Sequence, residues 1–408
     1  MRRAFFLTVA DGAQKGATGI LALILARFLG PSEFGVFAAV TSLAALFIMV
    51  TNIGFEQEFL RRSAHEDVGE SLGLVFISIA LTEMVAAVVT LVYLAVARPA
   101  SPLPLLLLMA LAVHALARLH LPFRYLCLHL HRTEVPAAIQ TASTVILVGG
   151  TLAVLAAHPS VPAVLALQVA VAALTLLAWE IWRRQSAIGI RLRASMENPG
   201  PIRGFIRSSL PFGLTNLLWI AYFNIDVVIL AHFRPANEVG IYSAIYRLIA
   251  MSYVLGSAFS NSFTPSLFSA ARGNGNEHRA IASRMMRGLL LAGIPLTAAF
   301  GLLAPQLLHI TMGDAYEGGI LMARILSLAI VFRLVNFGLS EILTTSGRHG
   351  RRIAVESAVL TINVISNIVL IPRWGGNGAA ASTLAAEGAM TAAGLWLWLR
   401  PGSTATRA

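Results

Sequence analysis

The stretch "ILARFLGPSEFGVFAA", Ile24–Ala39, returns further on as "ILAHFRPANEVGIYSA", Ile229–Ala244. Aligned without a gap, the two share seven residues of sixteen at an offset of 205, close to half the 408-residue chain. Chance likeness between two apolar turns would match aliphatic positions. Here Glu33 and Gly35 also match Glu238 and Gly240. The repeat therefore predicts two copies of one architecture. In each copy Pro31 or Pro235 ends a helix or follows its end. Ser32 or Asn237 is then placed to cap the next helix, with Glu33 or Glu238 at its positive end.

Outward from the turn, both copies run into apolar sequence. Hydrophobic residues make up 57% of the chain and charged residues 12%, about half the charge of a soluble globular chain. Mean hydropathy is +0.75. The recurring apolar runs are long enough to cross a hydrocarbon core of about 30 Å as helices. In lipid each backbone N–H and C=O must be paired within its own segment. The fold class is all-α, a polytopic membrane protein with about twelve transmembrane helices. They lie near 5–29, 34–54, 71–97, 103–121, 136–157, 161–182, 208–233, 239–264, 286–305, 318–344, 353–372 and 378–399. The fourth is the least regular, because Pro122, Arg124 and two histidines crowd its end. The first follows Arg2 and Arg3 as a signal peptide would. It is too long for an h-region, contains Asp11 and Lys15 and lacks a small-residue cleavage site, so it reads as a retained helix.

Six spans separate the two copies of the turn, an even number, so both halves enter the membrane in the same direction. That is a parallel repeat with a pseudo-two-fold axis along the membrane normal. Residues 1–182 form an N-terminal six-helix lobe and 208–408 a C-terminal six-helix lobe with a tail. Between them 183–207, rich in arginine and carrying Pro199, Gly200 and Pro201, reads as a linker. With both termini cytoplasmic, inner loops and tails hold 22 of the 30 basic residues. Outer loops hold four, Arg27, Arg98, Arg234 and Arg373. This is the asymmetry of the positive-inside rule. The net charge of +11 is then topology, facing anionic inner-leaflet lipids rather than nucleic acid.

Three stretches carry a resemblance: "LARFLGPSEFGVFA", "DVVILAHFRPANEVGIYSAIYRL" and "NVISNIVLIPRWGGNGAAASTL". With them the chain resembles the polysaccharide-transport branch of the multidrug/oligosaccharidyl-lipid/polysaccharide (MOP) flippase superfamily, the Wzx-type exporters of O-antigen and similar repeat units. The resemblance covers nearly the whole chain, and its motifs are specific to the fold rather than to a substrate. It implies two six-helix lobes around a central cavity. It also implies alternating access that carries an undecaprenyl-diphosphate-linked oligosaccharide across the bacterial inner membrane, for lipopolysaccharide, capsule or exopolysaccharide. The partners implied are that lipid-linked substrate, membrane lipids, a proton or sodium coupling ion and a polymerase or export apparatus. No cofactor is implied.

Charges within a membrane cost a few kcal/mol each and are functional candidates by default. The embedded bases are Lys15, Arg247, Arg324 and Arg333; the acids are Asp11, Glu83, Asp226, Glu341, Glu356 and Glu387, with Glu356 near the inner surface. Lys15 is the only lysine against twenty-nine arginines, four residues after Asp11 and on the same helical face. Either the two neutralise each other, or Lys15 is a cation on the cavity wall oriented by Asp11. Gly12, Gly16 and Gly19 allow a neighbouring helix to approach there. Asn216 and Ile220 occupy the matching positions of the second half, so the pair is an asymmetry added to the repeat. Asp226 and Arg247 lie toward the outer ends of spans 7 and 8. They form a pinning ion pair, or Arg247 faces the cavity, where the resemblance implies that cations attract the diphosphate. Arg324 and Arg333 are nine residues apart, half a turn out of phase, so they cannot share one cavity face. One reads as a packing ion pair, Arg333 with Glu341 or Glu387. As the site candidate, Arg333 ranks above Arg324 because it is nearer mid-membrane. Gln168, Asn216, Asn224, Asn363 and Asn367 read mostly as helix–helix glue.

Catalytic patterns are missing from the sequence. Lys15 is followed by Gly16, so there is no Walker A motif, and there is neither Asp-x-Asp nor His-Glu-x-x-His. A single cysteine, Cys127, permits no intrachain disulfide and no cysteine metal cluster. Two other functions compete. A small-cation or drug antiporter of the same superfamily needs an acidic cavity, whereas the embedded bases here nearly balance the acids. A glycan polymerase or ligase needs long outer loops, whereas the longest here is roughly 306–317.

Overall fold

A computed structural model describes residues 2–51, 54–63, 68–185, 199–273 and 275–399. Among the described residues every regular element is helical. In chain order these are α1 (Arg2–Ile48), α2 (Phe55–Arg62), α3 (Val68–Ala97), α4 (Leu103–Leu119), α5 (Leu121–His129), α6 (Glu134–Ala157) and α7 (Val161–Gln185). They continue as α8 (Pro199–Phe233), α9 (Ala236–Arg272), α10 (Gly275–Leu302), α11 (Ala304–Thr311), α12 (Ile320–Thr345) and α13 (His349–Leu399). Short 3-10 turns cover Met49–Thr51 and Asp314–Gly319.

Among the described residues ten helical stretches are long and apolar enough to cross a membrane. Two of them are double. α1 is interrupted at Gly30, φ 73°, and α13 at Gly375, φ 55°. The twelve apolar spans expected from hydropathy thus fall on ten helices. The exposed faces agree with a lipid environment: Met84, Val85, Val88, Leu91, Val92 and Val96 form one large apolar face of α3. A water-soluble monomer rarely exposes such a patch. The chain is a multi-pass membrane protein.

The repeated turn makes its corner by two different means. Position 30 takes a left-handed backbone that favours glycine. A Cβ there would meet nothing within 4 Å, so the dihedral alone requires it. At the matching position of the second copy stands Pro235, extended at φ −66° and ψ 154°, which is itself the residue before α9. The expected Asn237 cap is therefore displaced: proline stops the preceding helix and fixes the start of the next, leaving Asn237 inside the first turn. No side chain caps α9. Glu238 is used elsewhere. Its Oε1 accepts a hydrogen bond from the Gly376 N–H at 2.8 Å. Arg234 donates to the Pro372 carbonyl at 2.9 Å and to that of Ile371 at 3.3 Å. The turn thus clasps the break in α13.

The chain divides into two compact units, residues 1–228 and 229–408. The division falls inside α8, which begins at Pro199 rather than at the expected 208. Of the expected linker, 186–198 lies outside the described residues, as does the tail 400–408.

Unit 1 has an aromatic core beneath its helices. Phe55 and Phe59 of α2 pack with Leu72, Val75 and Ile79 of α3, Tyr125 and Leu126 of α5, and Phe205 of α8. A second cluster joins Phe123 and Cys127 to Trp179 of α7. In unit 2 small residues let helices meet closely, as membrane packing requires. At Gly256 of α9 a Cβ would lie 2.7 Å from Leu334 Cγ, and at Gly338 of α12 another would lie 2.7 Å from Leu289 Cδ1.

Candidate functional site

Three helices of unit 1 each bring a glutamine to one place: Gln14 of α1, Gln140 of α6 and Gln168 of α7. With Thr18, Ser143, Thr144 and Thr175 they line a pocket of about 340 Å³, closed by His120, Arg124 and Trp179. The hydroxyls can be carried into an apolar span because each satisfies its own donor. Thr18 donates to the Gln14 carbonyl at 2.8 Å, Thr144 to that of Gln140 at 2.8 Å and Thr175 to that of Val171 at 2.7 Å. Such i−4 bonds occupy the proton and leave the oxygen free to accept.

Two polar links hold the walls together. The Gln140 amide donates to the side-chain oxygen of Gln14, joining α6 to α1. Ser143 and Thr175 hydroxyls stand 2.7 Å apart, joining α6 to α7. Gln168 hydrogen-bonds to no other described residue.

The break between α4 and α5 supplies the cationic corner. α4 ends at Leu119, and Pro122 enters α5 at its first turn, where proline is tolerated. His120, at the junction, stacks on Trp179 with ring centroids 6.1 Å apart, and Trp179 stacks on Phe123 at 6.3 Å. Among the described lining residues there is no carboxylate. Amides and hydroxyls both donate and accept, and a guanidinium donates in a planar fork. This donor set suits a hydroxyl-rich or anionic ligand and suits a cation poorly.

The structure distributes the expected site residues as follows. Asp11 and Lys15 lie on α1, the helix that brings Gln14 and Thr18 to the pocket, but their side chains lie outside the described residues. Asp226 is buried on α8, in unit 1, and Arg247 is half-buried on α9, in unit 2. Arg324 is exposed on α12 and Arg333 is buried there, as their half-turn difference requires. Arg333 Nη1 lies 2.9 Å from Glu387 Oε1 of α13. Asn336 Nδ2 donates to Glu387 Oε2 at 2.8 Å, and Thr391 donates to Asn336 Oδ1 at 2.8 Å. The Phe337 and Tyr253 rings lie 5.2 and 5.6 Å from the guanidinium carbon. Of the two partners expected for Arg333, Glu387 is the one it meets. Glu341 instead accepts from Thr264 at 2.9 Å. Glu356 pairs with Arg352 at 2.7 Å, and Asn367 bonds to Asn363 at 3.1 Å.

Two charged sites escape sequence reasoning. Arg118, near the inner end of the fourth expected span, lies in the last turn of α4 and faces Glu83 of α3 at 3.6 Å. Glu83 was the usable signal, since an embedded acid with no base on its own helix asks for one on a neighbour. Glu58 of α2 is fully buried. It accepts from Arg61 at 2.7 and 2.8 Å, from Arg62 at 2.8 Å and from Ser208 of α8 at 2.6 Å. Burial opposes its charge, but the hydrogen bonds from Arg61, Ser208 and Arg62 prevail and hold the carboxyl down to about 2. A third grouping is exposed: ligand atoms of His309, Asp314 and Glu317 lie within 4.8 Å of one another, and could hold a metal ion.

Comparison with known proteins bears on what such a site serves. The sequence model of the polysaccharide biosynthesis protein family matches residues 1–270, and a second model, MatE, matches residues 211–372. A protein of Haloferax volcanii named "Probable flippase AglR" is 29% identical over 177 residues, which are 42% of this chain and 37% of that protein's length. The fold is similar to that of a lipid II flippase, MurJ, in an inward closed conformation. There the TM-score is 0.79 and the identity 12%, over 97% of this chain and 88% of the other. An inward-facing multidrug resistance MATE family transporter of the MOP superfamily gives a TM-score of 0.63 at 14% identity, over 96% of this chain and 93% of the other. These likenesses fix the fold as that of MOP transporters.

Proposed function

The chain belongs to the polysaccharide biosynthesis protein family, and on that premise we propose that it is a Wzx-type flippase translocating undecaprenyl-diphosphate-linked oligosaccharide units across the bacterial inner membrane. The observation that carries this reading is the unit 1 pocket. Its glutamines and hydroxyls match vicinal sugar hydroxyls, and Arg124 adds a donor suited to anionic groups. A cationic drug would find no described carboxylate in that lining.

Lys15 and Arg247 are the cations assigned to the diphosphate. A diphosphate brings roughly two negative charges into the bilayer, and a guanidinium or ammonium nearby offsets their desolvation. With both termini cytoplasmic, outward passage of each negative charge gains about 2.3 kcal/mol per 100 mV, inside negative. Arg333, already paired with Glu387, is assigned to packing. The polymerase or export apparatus remains the expected recipient of the flipped unit.

The test is export of glycan alongside protein abundance. Lys15→Ala and Arg247→Ala should each cut export with folded protein still in the membrane, while Lys15→Arg and Arg247→Lys keep much of it. Asp11→Ala should perturb export more than abundance. Normal export by Lys15→Ala at normal abundance removes Lys15 from the site. A second reading, a cation or drug antiporter, is favoured by the MatE match. It requires drug efflux that is lost in Asp11→Asn and unaffected in Lys15→Ala.

A further inference from the structure

We propose that the groove between α3 and the start of α8 is a binding site for an anionic phospholipid of the inner leaflet. It encloses about 480 Å³ and is lined by Leu81 of α3 and by Ile202, Arg203, Ile206, Arg207 and Leu210 of α8. The helical spacing sorts these residues. Ile202, Ile206 and Leu210 recur every four residues and make an aliphatic stripe. Arg203 and Arg207, one turn apart, make a cationic row beside it.

Both arginines are exposed, and neither hydrogen-bonds or pairs with another described residue. Arg61 and Arg62 of α2, by contrast, are both paired with Glu58, at 2.7 and 2.8 Å. An aliphatic stripe beside two uncommitted guanidiniums is complementary to an acyl chain that ends in a phosphate. The guanidinium fork matches phosphate oxygens in two parallel hydrogen bonds. Basic pockets between transmembrane helices on the cytoplasmic side take anionic headgroups for this reason. A zwitterionic lipid brings its own ammonium, which repels the same arginines. The inference rests on the proposed orientation, which puts residues 199–210 at the inner face, and not on glycan transport.

Native mass spectrometry of the full chain in detergent tests it, with phosphatidylglycerol, phosphatidylcholine and inorganic phosphate as probes. Wild-type protein should retain phosphatidylglycerol in preference to phosphatidylcholine, and inorganic phosphate should not displace it. Arg203→Gln/Arg207→Gln should weaken retention about thirtyfold, the joint effect of two interfacial arginines. Arg203→Lys/Arg207→Lys should keep most of it. Arg284→Gln/Arg287→Gln, which removes the same charge from exposed positions of α10, should change little. Equal retention of the two lipids overturns the proposal, as does wild-type retention by Arg203→Gln/Arg207→Gln. Displacement by inorganic phosphate makes the groove a small-anion site and overturns it as well. Should the glutamine variant not fold, the comparison of the three probes on wild-type protein decides alone. Absence of glycan export by wild-type protein that still retains phosphatidylglycerol would count against the flippase reading and leave this one standing.

Discussion

Glu387→Ala isolates the charge that unit 2 keeps in its interior. The Glu387 side chain is 2% exposed and that of Arg333 6%, so removing the carboxylate takes the counter-charge from a guanidinium that is almost wholly shielded from water. Breaking a buried pair from one side costs about 3–5 kcal/mol. Asn336 also loses one of its two acceptors, keeping the residue-387 carbonyl at 3.1 Å, and hydrogen bonds within membrane proteins are worth about 0.6 kcal/mol on average. A loss of about 4–5 kcal/mol is expected from the two together. The paired change Arg333→Met/Glu387→Met fills the same space without charge and should be neutral or stabilising, since desolvation of both ions is avoided. Reversible unfolding in bicelles, read by steric trapping, measures both variants, with glycan export followed in parallel. Three results refute the reasoning. Glu387→Ala could be as stable as wild type. The double methionine variant could be as unstable as Glu387→Ala. It could also be stable yet inactive, which would return Arg333 to the substrate.

Gly375→Ala should destabilise more than Gly30→Ala. Both force a left-handed backbone costing about 1–2 kcal/mol, but only at Gly375 would the Cβ fall 1.8 Å from Glu238 Oε1 and break the clasp on Gly376; thermal midpoints in one detergent give the order. Gln168→Leu should lower export at unchanged protein level, because that amide holds no described neighbour. Gln140→Leu should lower both, because it cuts the link from α6 to α1, and blotting of membranes separates the two. Glu58 titrates in the folded protein at about 2, against an ordinary 4.5. A carboxyl depressed on folding contributes stability that is complete above the unfolded value and fades as pH falls from there toward the folded one. The unfolding midpoint should therefore drop between about pH 5 and pH 3 in wild type and drop less in Glu58→Gln.

The spans were legible because bilayer thickness dictates their length; the corner inside α1 was legible from "GPSE", and that inside α13 from the gap between the spans near 353–372 and 378–399. What hydropathy could not see was anything shorter than a span or decided by neighbours. "FEQEFLRR", now α2, is eight residues long and reads as an inner loop. Its buried Glu58 becomes intelligible only once Ser208 arrives from 150 residues away. Of the three pocket glutamines, Gln168 alone is among the polar residues expected within the spans. A neutral amide in an apolar run leaves no periodic mark, and three of them form a pocket only through packing of α1, α6 and α7. Arg333 had two acids within plausible reach in sequence. The choice of Glu387 depends on how α13 lies against α12, which spacing along α12 cannot encode.

Cys127, sealed between Phe123 and Trp179 at 0% exposure, makes the natural chain its own blank for thiol chemistry. A spin label or fluorophore on Glu33→Cys or Asp314→Cys, both at exposed positions, would report alone, and no cysteine-free variant is needed first. The native thiol has a second use. A maleimide can reach it only when the aromatic cluster of unit 1 comes apart, so the rate of its modification clocks the local opening of that half of the protein.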